Sequence, residues 1–264
     1  MRIRVREGFN SGVLHGIAKG SSNSSLFLLY GNLTVAGVML LYTSYLDMKK
    51  REVEDKVWLV FGAIGVLLQV YEVYDGQTSI VLLGISVALA AVVGMGLYFF
   101  GFYGGADGKA LIVVGVLVPV FVPRIGLYSI APLIVLTNGV LISILLPAVI
   151  LLFNITRLIR RQPIFEGFSE PWYRKAIACF LGYKQTGKPR EFQFSMEKPV
   201  VDAGGGTRKF QFSMMQDDFE TKGNTWVTPG IPLLVFFTAG YFVMLIYGDL
   251  VISIVQFASK IFGF

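Results

Sequence analysis

Long apolar stretches constrain the fold of this chain more than any other feature of its sequence. The 264 residues are 54% hydrophobic and 15% charged, with a mean hydropathy of +0.65. Soluble domains carry about 25% charged residues, and a helix of about 20 apolar residues crosses a bilayer. Six apolar stretches are recognisable, at residues 26–46, 57–73, 80–102, 111–122, 127–153 and 233–258. The sequence therefore predicts an all-α membrane protein, a bundle of about six transmembrane helices in the lipid bilayer.

The fourth stretch, residues 111–122, is short and follows a glycine-rich turn that carries a carboxylate. It has about a dozen residues before a proline, fewer than the roughly 17 of a usual span. The helix therefore either includes residues 108–110 or begins below the membrane surface. Both arrangements bring Asp107, within Gly104-Gly105-Ala106-Asp107-Gly108-Lys109, to the bilayer, where an unneutralised charge costs several kcal/mol. Asp107 is therefore a candidate functional residue.

The composition changes between the fifth and sixth stretches. Residues 154–228 are charged and rich in Gly, Gln, Ser and Thr, which predicts a small soluble insert. Residues 1–25 combine Gly and Ser with basic side chains and lack the apolar core of a cleavable signal peptide, which predicts a flexible extension. The predicted domains are this extension, five helices at residues 26–153, the insert, and a sixth helix within residues 229–264.

A short repeat within the insert predicts β structure. Glu191-Phe192-Gln193-Phe194-Ser195-Met196 is echoed by Lys209-Phe210-Gln211-Phe212-Ser213-Met214, and three glycines at 204–206 lie between the copies. Alternation of apolar and polar residues has the period of a strand, so we expect the copies to pair as antiparallel strands. The later Trp226-Val227-Thr228-Pro229 segment is expected to begin the sixth helix, because prolines are tolerated in a first turn.

The distribution of Lys and Arg predicts the orientation in the membrane. The net charge is +6, but the basic residues lie beside apolar stretches, a pattern that the positive-inside rule explains without a nucleic-acid partner. Segment 47–56 has four basic residues and the insert has twelve, whereas the opposite loops hold Arg124 and Lys260. With six spans, both basic segments lie on one side. The sequence thus predicts a multi-pass protein of the cell membrane with a cytoplasmic insert and no nucleic-acid partner.

Few residues are available for cofactor or nucleophile chemistry. The single cysteine, Cys179, excludes an internal disulfide and a cysteine-cluster metal site, and the single histidine, His15, excludes a histidine-centred mechanism. No metal or organic cofactor is therefore expected. Asp47 ends the first apolar stretch and Asp107 precedes the fourth, both on the predicted cytoplasmic side. Two carboxylates at one depth can share a proton, so that one activates water and the other protonates the scissile group, as in aspartic proteolysis.

Glycines surround Asp107. Without a Cβ, the backbone at Gly104, Gly105 and Gly108 can approach an extended substrate closely and adopt positive φ. Lys109 is expected to pair with a carboxylate or a helix end. Plainer interpretations stay open: Asp107 could merely cap the fourth helix, and the first aspartate could merely end a helix in a solvated charge run.

The residues around both aspartates resemble a family of membrane proteases. The segment 104–109 is similar to the GxGD signature of the aspartic proteases that include type IV prepilin peptidases and presenilin-like enzymes. Segment 45–55 resembles the first-aspartate motif of these peptidases, and segment 226–232 strengthens the resemblance to archaeal preflagellin peptidases. The resemblance covers nearly everything from about residue 33 onward. It implies that Asp47 and Asp107 form a catalytic dyad that removes a short basic leader from archaellin or pilin-like precursors on the cytoplasmic side.

The same resemblance implies the substrate contacts. The residues expected to bind substrate are Gly104, Gly105, Ala106, Gly108 and Lys109 beside the second aspartate, and Glu52, Glu54 and Asp55 beside the first. The three acidic side chains would receive the basic leader. Ala106 replaces the second glycine of the signature, and an alanine held at positive φ would be strained by about 1 kcal/mol or more. We expect this alanine to be tolerated, since both aspartates are intact.

Two other functions stay open. A presenilin-like protease would use the same chemistry on another substrate. A non-enzymatic scaffold or small transporter could use an intramembrane carboxylate pair for protons or cations. A transporter would be expected to have paired, interrupted halves, and the insert and the short fourth stretch break any twofold pattern in this sequence.

Overall fold

The computed structural model describes residues 23–99, 104–121, 129–187, 192–200, 207–212, 223–230 and 232–263. These residues form two compact units. The helical unit contains the chain up to residue 142 and from residue 232 onward, and the insert unit contains residues 143–231. The predicted extension, residues 1–25, lies outside the described residues as far as residue 22, and the first described helix begins at Asn23.

Most of the described helices lie in the apolar stretches of the sequence. The described helices are α1 (Asn23–Lys50), α2 (Asp55–Tyr74), α3 (Ile80–Phe99), α4 (Gly105–Leu117), α5 (Ala131–Ser143), α6 (Leu145–Ile159), α7 (Trp172–Leu181), α8 (Leu233–Tyr247) and α9 (Leu250–Phe262). One of them, α7, lies in the insert. A short antiparallel pair, β1 (Val120–Phe121) and β2 (Ser129–Ile130), lies between α4 and α5.

Several of these helices are long and apolar enough to cross a membrane. They are Leu26–Lys50, Asp55–Tyr74, Ile80–Phe99 and Ala131–Ile159, and the bent pair of α8 and α9 is a fifth candidate. The chain is therefore a largely helical membrane protein with a small sheet region, as predicted. The fourth predicted stretch forms α4, which has 13 residues and is shorter than a usual span. The count of six spans remains a prediction.

The helical unit packs around a continuous apolar core. Its largest fully buried side chains include Met39 of α1, Leu111 and Leu117 of α4, and Phe237 and Tyr241 of α8. The Tyr241 hydroxyl donates a hydrogen bond of 2.6 Å to the carbonyl of Leu33, so this polar group is satisfied within the core. Helices α1, α4 and α8 are therefore held together by burial, and the two aspartates lie at the ends of two of them.

The sixth predicted helix is broken, and the expectation of one continuous helix over 233–258 is wrong. Gly248, with a φ of 84°, ends α8, and α9 departs at 54°. Asn138 of α5 satisfies the freed backbone groups: its Nδ2 donates to the carbonyls of Gly248 at 2.9 Å and Gly240 at 3.3 Å, and its Oδ1 accepts from Leu250 N at 3.0 Å. Asp249 caps α9 through hydrogen bonds to its side chain.

A buried polar cluster joins α1 to the far end of α2. Glu72 is 7% exposed. Its carboxylate accepts hydrogen bonds from Asn32 Nδ2 at 2.6 Å, Gln69 Nε2 at 3.1 Å and Thr78 Oγ1 at 2.8 Å. Asn32 precedes Asp47 by 15 residues in α1, so at 1.5 Å per residue the cluster lies about 22 Å along the helix from that aspartate. This cluster was not predicted from the sequence.

The insert unit contains two small antiparallel sheets. Its strands are β3 (Tyr183–Lys184), β4 (Gln193–Ser195), β5 (Glu197–Val200), β6 (Thr207–Phe210) and β7 (Trp226–Pro229). The sheets are β3-β7-β4 and β5-β6. An antiparallel pair does flank residues 201–206, but it begins after the first copy of the repeat, with Glu197 opposite Phe210. The predicted pairing of the copies is therefore wrong in register. Residues 191, 213 and 214 of the copies lie outside the described residues.

Trp226–Pro229 was expected to begin the sixth helix and instead forms the central strand β7, because its side chains are needed in the insert core. Trp226 is fully buried, its Nε1 donates to the carbonyl of Ile164 at 2.8 Å, and its ring stacks on Phe165 at 5.3 Å. Helix α8 begins only at Leu233. Cys179 lies in the same core, and burial raises the pKa of its thiol to about 11, which keeps it protonated near neutral pH.

Candidate active site

Asp107 lies in the first turn of α4, so the glycine-rich turn winds directly into a helix. Its side chain is buried, and its Oδ2 accepts a hydrogen bond of 3.0 Å from the backbone N–H of Gly104, the N-cap residue. A carboxylate near a helix N-terminus satisfies a backbone donor in this way. Gly104 has no side chain to complete a reciprocal capping box. The capping role that the sequence left open is therefore observed.

Asp47 lies in the last turn of α1 and is half-buried. The backbone N–H of Leu234, in the first turn of α8, is within hydrogen-bonding reach of its carboxylate. Arg51 ends the helix with a φ of 56°, and its N–H donates to the carbonyl of Asp47 at 3.0 Å. The guanidinium of Arg51 lies close enough to attract the carboxylate. Asp47 thus has an opposite charge beside it and a helix N-terminus facing it.

The structure brings the two aspartates into one site. Helices α1 and α4 are in contact, and the carboxylates of Asp47 and Asp107 lie close enough to repel each other electrostatically. Like charges in a buried setting favour a state in which one group is protonated and the other ionised. Such a pair holds one general acid and one general base, which is the requirement for activating water against an amide bond.

The glycines around Asp107 have a different role from the one predicted. Gly104, Gly105 and Gly108 all have negative φ, so the expectation of positive φ is wrong. The reason is that residues 105–108 form a regular helical turn. Gly108 instead contacts α3: a Cβ on Gly94 would lie 2.9 Å from the Cα of Gly108, closer than any real Cβ contact. The glycine pair lets α3 and α4 cross with their backbones touching.

Ala106 occupies the position of the missing signature glycine without backbone strain. It lies in α4 and is absent from the residues with positive φ among those described. Its methyl group packs against the apolar core of the helical unit. The strain considered from the sequence therefore does not arise in this conformation, because alanine is a favourable helix residue.

The three acidic residues that follow Asp47 differ in their contacts. Asp55, the first residue of α2, forms an ion pair with Lys109 of α4 at 2.5 Å, and both side chains are substantially exposed. The expectation that Lys109 pairs with a carboxylate is confirmed. Glu52 and Glu54 are exposed in the connection between α1 and α2. The ion pair therefore ties the start of α2 to the start of α4, and the two glutamates remain on the surface.

Two hydroxyl groups beside Asp47 were not predicted. Ser44 Oγ donates to the carbonyl of Leu234 at 2.8 Å and lies 2.6 Å from Thr238 Oγ1. Thr238 Oγ1 is also 3.0 Å from the carbonyl of Leu40. These contacts fix α8 against about the last three turns of α1, so they determine where the Leu234 N–H meets Asp47. The sequence signal was the i, i+3 spacing of a serine and an aspartate at the end of an apolar helix.

No three His, Cys, Asp or Glu side chains cluster closely enough to hold a metal ion among the residues that the structure describes. The polar groups at the site are the two carboxylates, the Arg51 guanidinium, backbone N–H groups at the starts of α4 and α8, and the Ser44 and Thr238 hydroxyls. These groups are sufficient for general acid and base chemistry on a bound peptide.

Two protein-family models match this chain. Residues 34–157 match the family model described as the type IV leader peptidase family, and residues 174–250 match that of the archaeal peptidase A24 C-terminus, type II. The preflagellin peptidase of Methanococcus maripaludis is 28% identical over 239 residues, covering 83% of this chain and 96% of the relative. That of Methanocaldococcus jannaschii is also 28% identical, covering 84% and 96%.

A third relative has similar coverage. The preflagellin peptidase of Methanococcus voltae is 26% identical over 230 residues, covering 82% of this chain and 94% of the relative. The alignments thus extend over nearly the whole of each relative, and the first family model includes both aspartates of the site. The chain is therefore similar to type IV leader peptidases over residues 34–157 and to the archaeal C-terminal region of such peptidases over residues 174–250.

Proposed function

We propose that this protein is a membrane aspartic endopeptidase that removes the short basic leader from archaellin or type IV pilin-like precursors. The observation that carries the proposal is the meeting of Asp47 and Asp107, delivered by two different helices to one site. The names of the relatives supply the substrate class, since preflagellin is the precursor of an archaellin. No cofactor is required by this chemistry.

In the proposed mechanism the two aspartates share one proton. The ionised carboxylate removes a proton from a water molecule, whose oxygen attacks the carbonyl carbon of the scissile peptide bond. The protonated carboxylic acid gives its proton to the carbonyl oxygen, forming a neutral tetrahedral intermediate. Collapse of this intermediate breaks the C–N bond: the carboxyl group that took the proton from water gives a proton to the departing nitrogen, and the other, now ionised, takes a proton from a hydroxyl group of the intermediate, whose oxygen becomes the carbonyl of the product acid. The dyad then returns to its singly protonated state.

The proposed site lies at the cytoplasmic face of the cell membrane. The four basic residues of segment 47–56 and the twelve of the insert favour that side under the positive-inside rule, with six membrane crossings. In this arrangement the apolar segment of the precursor remains in the bilayer, and the leader extends past the connection between α1 and α2. The backbone of residues 104–109 would lie against the substrate near the cleaved bond.

Glu52 and Glu54 are proposed to receive the basic leader, because both are exposed next to Asp47. Changing both to Lys should weaken cleavage of a basic leader, with a higher KM and little change in kcat. The matched substrate is a precursor whose leader lysines and arginines are replaced by Gln, which should lose this dependence. Equal kinetics of both proteins on both substrates would argue against leader binding at these residues.

The proposal is tested by incubating membranes that contain the chain with an archaellin-type precursor and sequencing the N-terminus of the product. The parent protein should release the leader, and Asp47→Asn and Asp107→Asn should each abolish release while the amount of folded protein is unchanged. Cleavage by both variants at the parent rate would refute the dyad. Failure of the folded parent on several archaellin and pilin-type precursors would refute the substrate assignment.

A further inference from the structure

The insert unit contains a cavity of about 760 Å³ that the proposed peptidase reaction does not use. Its described lining residues all belong to this unit and come from the end of α6, the segment after it, and the region of β3. Three of them are cationic, Arg157, Arg160 and Lys184, and none of the described lining residues is acidic. A cavity with three positive charges and no lining counter-charge favours an anionic ligand.

Two of the cations are held in place by the fold. Arg157 Nε donates to Gln162 Oε1 at 2.7 Å, and its Nη1 donates to the carbonyl of Lys184. Its guanidinium also lies over the ring of Phe153, 5.5 Å from the centroid. Lys184 Nζ donates to the carbonyl of Pro163 at 3.1 Å. Because these side chains are already ordered, an anion that binds here does not have to order them.

Apolar side chains line the cavity as well. Val149 and Phe153 line it, and both are about half exposed, at 59% and 48%. They belong to the helical stretch Ala131–Ile159, which is long and apolar enough to lie in a membrane. The charged residues follow at the end of this stretch, where a membrane-crossing helix reaches the headgroups. The cavity therefore combines a phosphate-binding group of cations with a surface suited to hydrocarbon.

We propose that this cavity binds an anionic membrane phospholipid, with the headgroup phosphate at Arg157, Arg160 and Lys184 and an acyl chain along Val149 and Phe153. Arginine suits phosphate oxygens because its planar guanidinium offers paired N–H donors. Basic pockets at the cytoplasmic ends of membrane helices bind phospholipid headgroups for the same reason. A soluble phosphate would pair with the cations but would leave Val149 and Phe153 uncovered. A phospholipid would contact both the cations and these apolar side chains.

The test uses the full chain, purified in detergent and titrated with phosphatidylglycerol or phosphatidylcholine, with bound lipid counted by native mass spectrometry. The test variant is Arg160→Gln/Lys184→Gln, which leaves the Arg157 contacts in place. The matched control is Lys198→Gln/Lys209→Gln, which removes the same charge from exposed positions of β5 and β6. Circular dichroism and thermal unfolding establish that all three proteins are folded.

The parent and the control should bind phosphatidylglycerol in preference to phosphatidylcholine. The test variant should bind it roughly 25-fold more weakly, since each basic residue near an anionic lipid contributes about a fivefold effect. An equal loss in the control would mean that net charge alone attracts the lipid, and the proposal would be wrong. Equal affinity for the two lipids in the parent would also overturn it.

A calorimetric titration with inorganic phosphate shows whether the cavity binds a phospholipid or a soluble phosphate. We expect inorganic phosphate to bind at least about 100-fold more weakly than phosphatidylglycerol, because it has no hydrocarbon to cover Val149 and Phe153. Inorganic phosphate binding as tightly as the lipid, and lost in the same test variant, would assign the cavity to a soluble phosphate ligand instead. None of the substituted residues belongs to the aspartate site, so precursor cleavage is expected to continue in every variant.

Discussion

Two buried carboxylates of the helical unit, Glu72 and Asp107, are held in opposite ways. Glu72 accepts three side-chain hydrogen bonds, at 2.6, 2.8 and 3.1 Å, from residues before, beside and after it in the chain. Asp107 accepts the backbone N–H of Gly104 at 3.0 Å, and among the described residues no side chain donates to it. The two side chains are equally buried, 7% and 8% exposed. Their donors, not their burial, distinguish them.

This difference separates a carboxylate that holds helices together from one that can do chemistry. Three side-chain donors hold the carboxyl group of Glu72 in place, and removing its oxygens would leave those donors unpaired in the membrane. Asp107 has one backbone donor and a second carboxylate, that of Asp47, close to it. Such a group can exchange a proton at little structural cost, which a general acid or base must do in every turnover.

The largest expected effect on stability comes from the contact between Gly94 of α3 and Gly108, the residue after Asp107. Gly94→Val should destabilise the protein by about 3 kcal/mol, because the new side chain overlaps the backbone of Gly108 and cannot be relieved by a rotamer change. The matched control is Gly96→Val, two residues along α3, where a Cβ meets open space. Thermal unfolding in detergent compares them. Similar stability of the two variants would mean that the close crossing of α3 and α4 is not required.

Glu72→Gln tests whether this carboxylate has the structural role that distinguishes it from Asp107. It should cost about 2 kcal/mol of stability, since an amide nitrogen would face donors that now meet a carboxylate oxygen. Precursor cleavage per folded molecule should stay within about threefold of the parent, because the cluster takes no part in proton transfer. Glu54→Gln, at an exposed position, is the control for stability. No loss of stability in Glu72→Gln would contradict the structural role of this carboxylate.

The smallest expected effect is that of Ala106→Gly, which restores the signature glycine. Because Ala106 already has a helical conformation, the change should lower stability by about 0.5–1 kcal/mol and alter the cleavage rate by less than about twofold. Unfolding and cleavage are measured on the same preparations. A tenfold rise in cleavage would mean that this position adopts positive φ when substrate binds, and that alanine hinders the enzyme.

The sequence was sufficient for the helices and for the candidate aspartates. Most described residues of each apolar stretch are helical, because a helix satisfies its own backbone groups in lipid. Asp107 was identified because a carboxylate between two apolar runs is costly, and the same cost places it at the start of α4. Lys109 was expected to find a carboxylate, and it pairs with Asp55.

Long-range pairing was not predictable from the sequence. Nothing local distinguishes Gly94 from other glycines of α3, yet it meets Gly108 because two helices cross there. Glu72 carried a signal that was overlooked: it follows Gln69 by three residues, which places both on one face of an apolar helix. Trp226–Pro229 forms a strand because two segments distant in the chain pair with it. A local rule about prolines in the first turn of a helix cannot predict such pairing.

The central claim is that Asp107 acts chemically and Glu72 acts structurally. One assay tests it: the rate of precursor cleavage per folded molecule for Asp107→Asn and Glu72→Gln, measured in the same membranes. Both changes replace one buried carboxylate by an amide of the same size. We predict that Asp107→Asn lowers the rate by more than about 10³-fold, as the loss of a catalytic acid or base does, and that Glu72→Gln leaves it nearly unchanged. Cleavage by Asp107→Asn at the rate of Glu72→Gln would contradict the account.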